Sequence, residues 1–190
     1  MAEGRIVVTG FEPFGGASVN ASWEAVKTLG GVGKVRLPVS FARAGEAIRR
    51  IVAMAPDAVI CVGEAGGRSL ISVERVAVNL MDARIPDNDG AQPADVPIDP
   101  TGPAARFAAL PTRRIAERIR AAGIPAELSY TAGTYVCNGT FFALMEAIAA
   151  AGIPMLGGFI HVPASGMSVG DIARGLDIAV RCVREALEEQ

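Results

Sequence analysis

The sequence is poor in several of the residues on which common chemistries depend. It holds a single histidine, His161, so any step needing a side-chain imidazole must use it, and a histidine-rich metal site is excluded. Its three cysteines, Cys61, Cys137 and Cys182, are odd in number and lack CxxC spacing, which argues against a disulfide framework and a cysteine-only zinc site. No run of Lys or Arg stands out and the formal net charge is -2, so the basic stripe that would neutralise nucleic-acid phosphates is missing. The start, MAEGRIVVTGFEPFGG, has neither the basic segment nor the apolar stretch of a secretory signal. The longest nearly apolar span, 143–160, contains Glu146 and is broken by Gly152-Ile153-Pro154, which reads as a buried helix and a strand rather than a membrane span. Gly33-Lys34 lacks the flanking residues of a phosphate-binding loop, and GEAGGR at 63–68 does not match G-x-G-x-x-G, so nucleotide cofactors have no support. These absences predict a cytoplasmic protein with no nucleic-acid or membrane partner, no metal and no cofactor.

What is present is core-forming material. Of the 190 residues, 51% are hydrophobic and mean hydropathy is +0.35, enough for one domain spanning 1–190. Such apolar richness also predicts subunit contacts, hence a homo-oligomer, dimer or tetramer.

Short β-rich runs alternate with helical ones. Strands are expected at 5–9, 34–39, 58–63, 126–131 and 156–162, and helices at 21–29, 42–54, 111–122, 140–151 and 169–188. AVICVG at 58–63 is a continuous apolar run, as in a strand buried on both faces. Alternation of this kind calls for a mostly parallel central sheet covered on both sides, an α/β fold with three α/β/α layers. The stretch 82–111, rich in Asp, Pro and Gly, reads as a long loop with one helical turn; loops of that length are usually functional or mobile.

Chemistry concentrates at the carboxyl ends of these strands. GGFIHVP places His161 at the end of an apolar strand, where open α/β sheets gather catalytic groups. Cys61 lies inside AVICVG, and Cys182 lies among Ile178, Val183 and Leu187; both read as small buried hydrophobes. Cys137 differs, because it follows a strand and the turn Ala132-Gly133-Thr134 and precedes a helix expected to begin near Asn138. A thiol there meets the positive end of the helix dipole, which favours thiolate, and nearby backbone N–H groups can form an oxyanion hole. A Cys–His pair gains from an acid that orients the imidazole. In ISVERVAVN the apolar alternation slips phase at Glu74-Arg75, as at a β-bulge, which makes Glu74 the leading acid; Asp87 and Glu64 remain open alternatives.

Six segments then become specific together: VTGFEPFGG (8–16), GEAGGR (63–68), ERVAVN (74–79), DARIPDNDG (82–90), TAGTYVCN (131–138) and GFIHVP (158–163). In order and content they resemble the pyroglutamyl peptidase I family. The resemblance implies removal of N-terminal pyroglutamate from peptides by a Glu–Cys–His triad, which falls on Glu74, Cys137 and His161. It further implies an oxyanion site at the Cys137 N–H with the Arg84 region. Phe11 and Phe14 would sandwich the lactam, with Ile85 and Val136 beside it, Asn20 in support and Glu64 at its polar edge. The chain departs from the family in having Glu64 where Gln is usual, and in a short segment after His161. A thiol amidase for another small acyl group, or an inactive lactam- or peptide-binding relative, are the competing expectations.

Overall fold

The computed structural model describes residues 5–190. Strand β1 (Ile6–Phe11) leads through a Gly/Pro loop to helix α1 (Ala21–Val26), whose N-cap Asn20 accepts from the Ser22 N–H. Strand β2 (Gly33–Leu37) is followed by α2 (Phe41–Ala53), capped by Ser40. Strand β3 (Ala58–Ala65) runs two residues beyond the expected AVICVG, and is followed by β4 (Ile71–Glu74) and β5 (Val76–Val78). Then come β6 (Ala105–Phe107), α3 (Thr112–Ala121), β7 (Ala126–Ser129), α4 (Val136–Ala151), β8 (Leu156–Pro163) and α5 (Val169–Glu188).

Six strands form the central sheet in the order β2-β1-β3-β8-β4-β7. β2, β1, β3 and β8 are mutually parallel; β4 pairs antiparallel with β8 and parallel with β7. The sheet is thus mostly parallel, as expected, with one reversed pair at an edge. Helices α1, α3 and α5 cover one face through a core that includes Ile60, Ile71, Ile115, Ile160 and Leu176. On the other face α2 and α4 lie over Phe11, Cys61 and Phe159, with Phe141 of α4 in the same core. α4 buries residues on nearly every side, from Val136 to Ile148, which is why its sequence is apolar without an amphipathic stripe. No helix among the described residues is long and apolar enough to cross a membrane.

Two local expectations are corrected. The phase slip at Glu74-Arg75 is not a bulge within one strand. The chain leaves the central sheet after Glu74, and Val76–Val78 pairs antiparallel with β6 in a separate two-stranded sheet. Changing sheets changes which side chains face the core, so alternation breaks there for a topological reason. The 82–111 stretch is also less irregular than expected, since it contains β6 and a bridge between Met81 and Val96.

Candidate active site

The parallel strands place three chain segments at one end of the sheet. β1 ends at Phe11, β3 passes through Gly63 and Glu64, and β8 passes through His161, which pairs in register with Gly63. Because Ser72 pairs with His161 and Val73 with Ile160, the next residue of β4, Glu74, lies one step deeper in the sheet, below the imidazole. Glu74 Oε1 is 2.8 Å from His161 Nδ1, and the two residues are 0% and 4% exposed, so nearly the whole pair is shielded from water. The bond commits Nδ1 and leaves Nε2 as the nitrogen available for proton exchange. The His161 ring also packs against Phe159, with centroids 4.8 Å apart.

Cys137 arrives from the opposite layer. Gly133, at φ +74°, turns the chain after β7 through the left-handed region that glycine adopts without cost. Helix α4 then begins at Val136, two residues earlier than expected, so Cys137 belongs to its first turn rather than preceding it. The N–H groups of a first turn have no intrahelical acceptor and point outward. Asn138, fully buried, bonds the Val78 N–H and the Val78 and Leu80 carbonyls, fixing this turn against the 76–80 segment. Cys137 Sγ lies only 2.7 Å from where a Cβ on Gly63 would stand. The thiol and the imidazole thus share one neighbour: Sγ occupies the space over Gly63 that a Cβ would fill, and His161 is that glycine's register partner on the neighbouring strand.

Burial pushes the Cys137 thiol up to about 12, with the Glu74 carboxylate acting in the same direction and the Arg68 guanidinium opposing. Burial also lowers His161 below its ordinary value, against the hydrogen bond and charge of Glu74. At neutral pH both groups are uncharged. The sequence pattern points to a thiolate favoured by the helix dipole; burial by the packed walls acts in the opposite direction and is the larger effect on Cys137. Cys61, fully buried, is also raised to about 12 by burial, and Cys182 is buried. Cys137 is the one thiol of the three that is partly exposed.

Beside Sγ opens a cleft of about 270 Å³ lined by Phe11, Phe14, Asn20, Val39, Glu64, Tyr135, Val136 and Cys137. Five of the six expected binding residues line it: Phe11, Phe14, Asn20, Glu64 and Val136. The sixth, Ile85, is 45% exposed and lies outside the lining, and Arg84 is likewise exposed. Both sit on a loop tied to the turn before Cys137, because Asp82 N–H donates to Thr134 O and Tyr135 Oη to Pro86 O. Asn20 is occupied within the scaffold, capping α1 and donating from Nδ2 to Glu12 O. Glu64 accepts from the Ala21 N–H at 2.6 Å. Asp87, an alternative orienting acid, instead accepts from the N–H groups of Phe41, Asp89 and Ala91, so its role is to fold the loop.

Sequence reasoning missed three residues. Tyr135 lines the cleft and holds Phe14 at 6.2 Å and Phe41 at 5.4 Å between ring centroids; its place directly before Val136-Cys137 was the available signal. Val39 lines the cleft from the connection between β2 and α2. Arg68 bonds Glu74, and GEAGGR gave no hint of it beyond a charge close to two glycines. Among the described residues no group of His, Cys, Asp and Glu side chains could hold a metal ion.

The chain is similar to known proteins along nearly its whole length. A sequence model of the pyroglutamyl peptidase family matches residues 4–189. The pyrrolidone-carboxylate peptidase of Thermococcus kodakarensis is 45% identical, with 98% of each chain covered. That of Bacillus subtilis is 45% identical over 92% of this chain and 90% of its own. The crystal structure of pyroglutamyl peptidase I from Bacillus amyloliquefaciens superimposes with a TM-score of 0.92 at 44% identity, covering 96% of this chain and 95% of that one. Fold and relatives together define a peptidase of the α/β class. The chain belongs to the pyroglutamyl peptidase family.

Proposed function

We propose that the protein is a cytoplasmic cysteine peptidase that removes N-terminal pyroglutamyl residues from peptides, acting as one catalytic domain over 1–190 within a homo-oligomer. The observation that carries the reading is the convergence of Cys137 Sγ and His161 on Gly63, with Glu74 hydrogen-bonded beneath the imidazole.

The reaction is acyl transfer. As the substrate carbonyl reaches Sγ, His161 Nε2 takes the thiol proton and sulfur attacks the carbon joining pyroglutamate to the next residue. The developing oxyanion is met by the Cys137 N–H, which the helix start leaves free, with Arg84 reaching in from the adjoining loop. The imidazolium returns its proton to the departing amine, leaving a thioester. Water, deprotonated by His161, then releases pyroglutamate and restores the thiol. Glu74 keeps the imidazole in the useful tautomer and stabilises its cationic form.

The cleft suits a flat, uncharged lactam. Phe11, Phe14, Tyr135 and Val136 supply apolar walls, and Glu64 supplies an acceptor for the ring N–H. Asn20 acts indirectly, by holding through Glu12 O the loop that leaves Phe11 and carries Phe14. Ile85 would join the walls only if its loop moved inward. A second reading, a thiol amidase for a different small acyl group, draws on the carboxylate of Glu64 in the cleft, since an acid cannot donate to a lactam carbonyl unless protonated.

Comparing turnover of pyroglutamyl-, prolyl- and glutamyl-naphthylamides, with and without iodoacetamide, tests both readings. Cleavage of the pyroglutamyl compound alone, blocked by one equivalent of label on Cys137, is the expected result. Preference for another acyl group would overturn the substrate, and resistance to the label would overturn the nucleophile.

A further inference from the structure

Beneath the imidazole, Glu74 is not held by His161 alone. Arg68, on the turn between β3 and β4, donates from Nη1 to Glu74 Oε1 at 2.6 Å. The same nitrogen lies 3.4 Å from Ser129 Oγ, and Nη2 donates to Thr131 O at 2.6 Å. Ser129 ends β7, and Thr131 opens the turn that delivers Cys137. One planar group thus touches both the carboxylate that orients the imidazole and the backbone that positions the nucleophile. A guanidinium can do this because its donors form a rigid fork; a single ammonium has no such second arm.

The carboxylate's environment points the same way. Both donors, Arg68 Nη1 and His161 Nδ1, converge on Oε1, while Oε2 is buried with no hydrogen-bond partner among the described residues. A buried, half-satisfied carboxylate persists only if a cation compensates it. Burial disfavours the charged form of His161, and among the described residues Arg68 is the only Lys or Arg with a polar contact to Glu74. Arg68 is itself largely covered, with 23% of its side chain exposed, so its charge is weakly screened.

We infer that Arg68 is a positioning residue of the catalytic centre, fixing the Glu74 carboxyl under His161 and anchoring through Thr131 O the turn that carries Cys137. This rests on the triad assignment made above. Its consequence is electrostatic as well as geometric. The charges acting on His161 are Glu74, which raises it, and Arg68, which lowers it. Those acting on Cys137 are Glu74, Cys61 and Glu64, which raise it, and Arg68, which lowers it. Glu127, bonded to Ser72 beside His161, is a further charge on the neighbouring strand. Removing Arg68 therefore moves both partners upward: the imidazole protonates at higher pH and the thiol becomes harder to ionise.

The test compares wild type with Arg68→Met, Arg68→Lys and Arg68→Ala, the last with and without added guanidine. For Arg68→Met, kcat should fall by about tenfold or more, a part of what general acid–base catalysis supplies, with a smaller change in KM. The acid limb of kcat/KM should move to higher pH, and alkylation of Cys137 at fixed pH should slow. Arg68→Lys should keep the acid limb near its wild-type position yet lose kcat, because charge is retained and the second arm is lost. Guanidine should restore part of the activity of Arg68→Ala. The inference is overturned if folded Arg68→Met keeps kcat within about twofold and an unmoved acid limb, or if Arg68→Lys and Arg68→Met behave identically. Should Arg68→Met fail to fold, the comparison of Arg68→Lys with guanidine-rescued Arg68→Ala decides by the same criteria. Cys137→Ser and His161→Ala controls separate the two levels. If those variants stay active the triad itself fails, whereas if they are dead while Arg68 is dispensable, only this inference fails.

Discussion

The floor and the mouth of the site are built on opposite principles. At the floor, Glu74, His161 and Ser72 are buried on adjacent strands, and their geometry is set by sheet register. At the mouth, Phe14, Glu64 and Tyr135 are half-buried side chains on loops and element ends, tied together by bonds such as Tyr135 Oη to Pro86 O. A reacting constellation needs rigidity, which paired strands supply; a recognition cleft needs shape, which loops can vary. The floor should therefore fail abruptly when altered, and the mouth gradually.

The sharpest break in that contrast is loss of the reacting pair. Cys137→Ser and His161→Ala should each lower kcat by at least about 10³-fold with little change in circular dichroism, since residues acting as a unit fail together. Next is Gly63→Ala. Its Cβ would stand 2.7 Å from Cys137 Sγ and 2.7 Å from Phe159 Cζ, a ring held by Phe11 and Phe141. The sulfur must give way, so kcat should drop by orders of magnitude, and thermal unfolding should show a loss of about 1–3 kcal/mol. Wild-type activity in this variant would mean that Sγ is free to move.

Glu74→Gln comes third. Orientation is partly kept while the charge is lost, so kcat should fall less than in Cys137→Ser. Glu74 raises His161, so its neutralisation lets burial depress the imidazole further, and the acid limb of kcat/KM should shift to lower pH. A shift to higher pH would contradict the assigned electrostatics. At the mouth, Glu64→Gln should change KM by less than about tenfold with kcat nearly constant, as loss of one binding interaction does. Cys182→Ser, on the far face among the α5 core residues, should leave turnover unaltered.

The same division explains what the sequence made legible. His161 could be found by scarcity, and Cys137 by its place after a strand and a glycine turn, because both signals are local. Glu74 emerged from a break in alternation whose true cause, a change of sheets, needs the pairing of β5 with β6 to be seen. The reversed direction of β4 was not readable, since Ile71–Glu74 carries the same β-rich pattern whichever way it runs. β6 was hidden because three residues inside a Pro- and Gly-rich stretch leave no periodicity to detect. The start of α4 was misplaced because Tyr135 and Val136 favour strands, and tertiary burial of Val136 overrides that preference. Arg68 was invisible for the most physical reason. Its partners, Glu74, Ser129 and Thr131, lie up to 63 positions away and meet it only through the β4–β7 register.

The central claim is that a single sulfur carries the acyl group. Rapid quenching of the enzyme during turnover of a pyroglutamyl naphthylamide, followed by peptide mass mapping, tests it most directly. The expected outcome is one pyroglutamyl group, bound as a thioester labile to hydroxylamine, on the peptide containing Cys137. A turning-over enzyme in which that peptide stays unmodified when hydrolysis of the intermediate is slow, or in which the acyl group sits on another residue, would contradict the account.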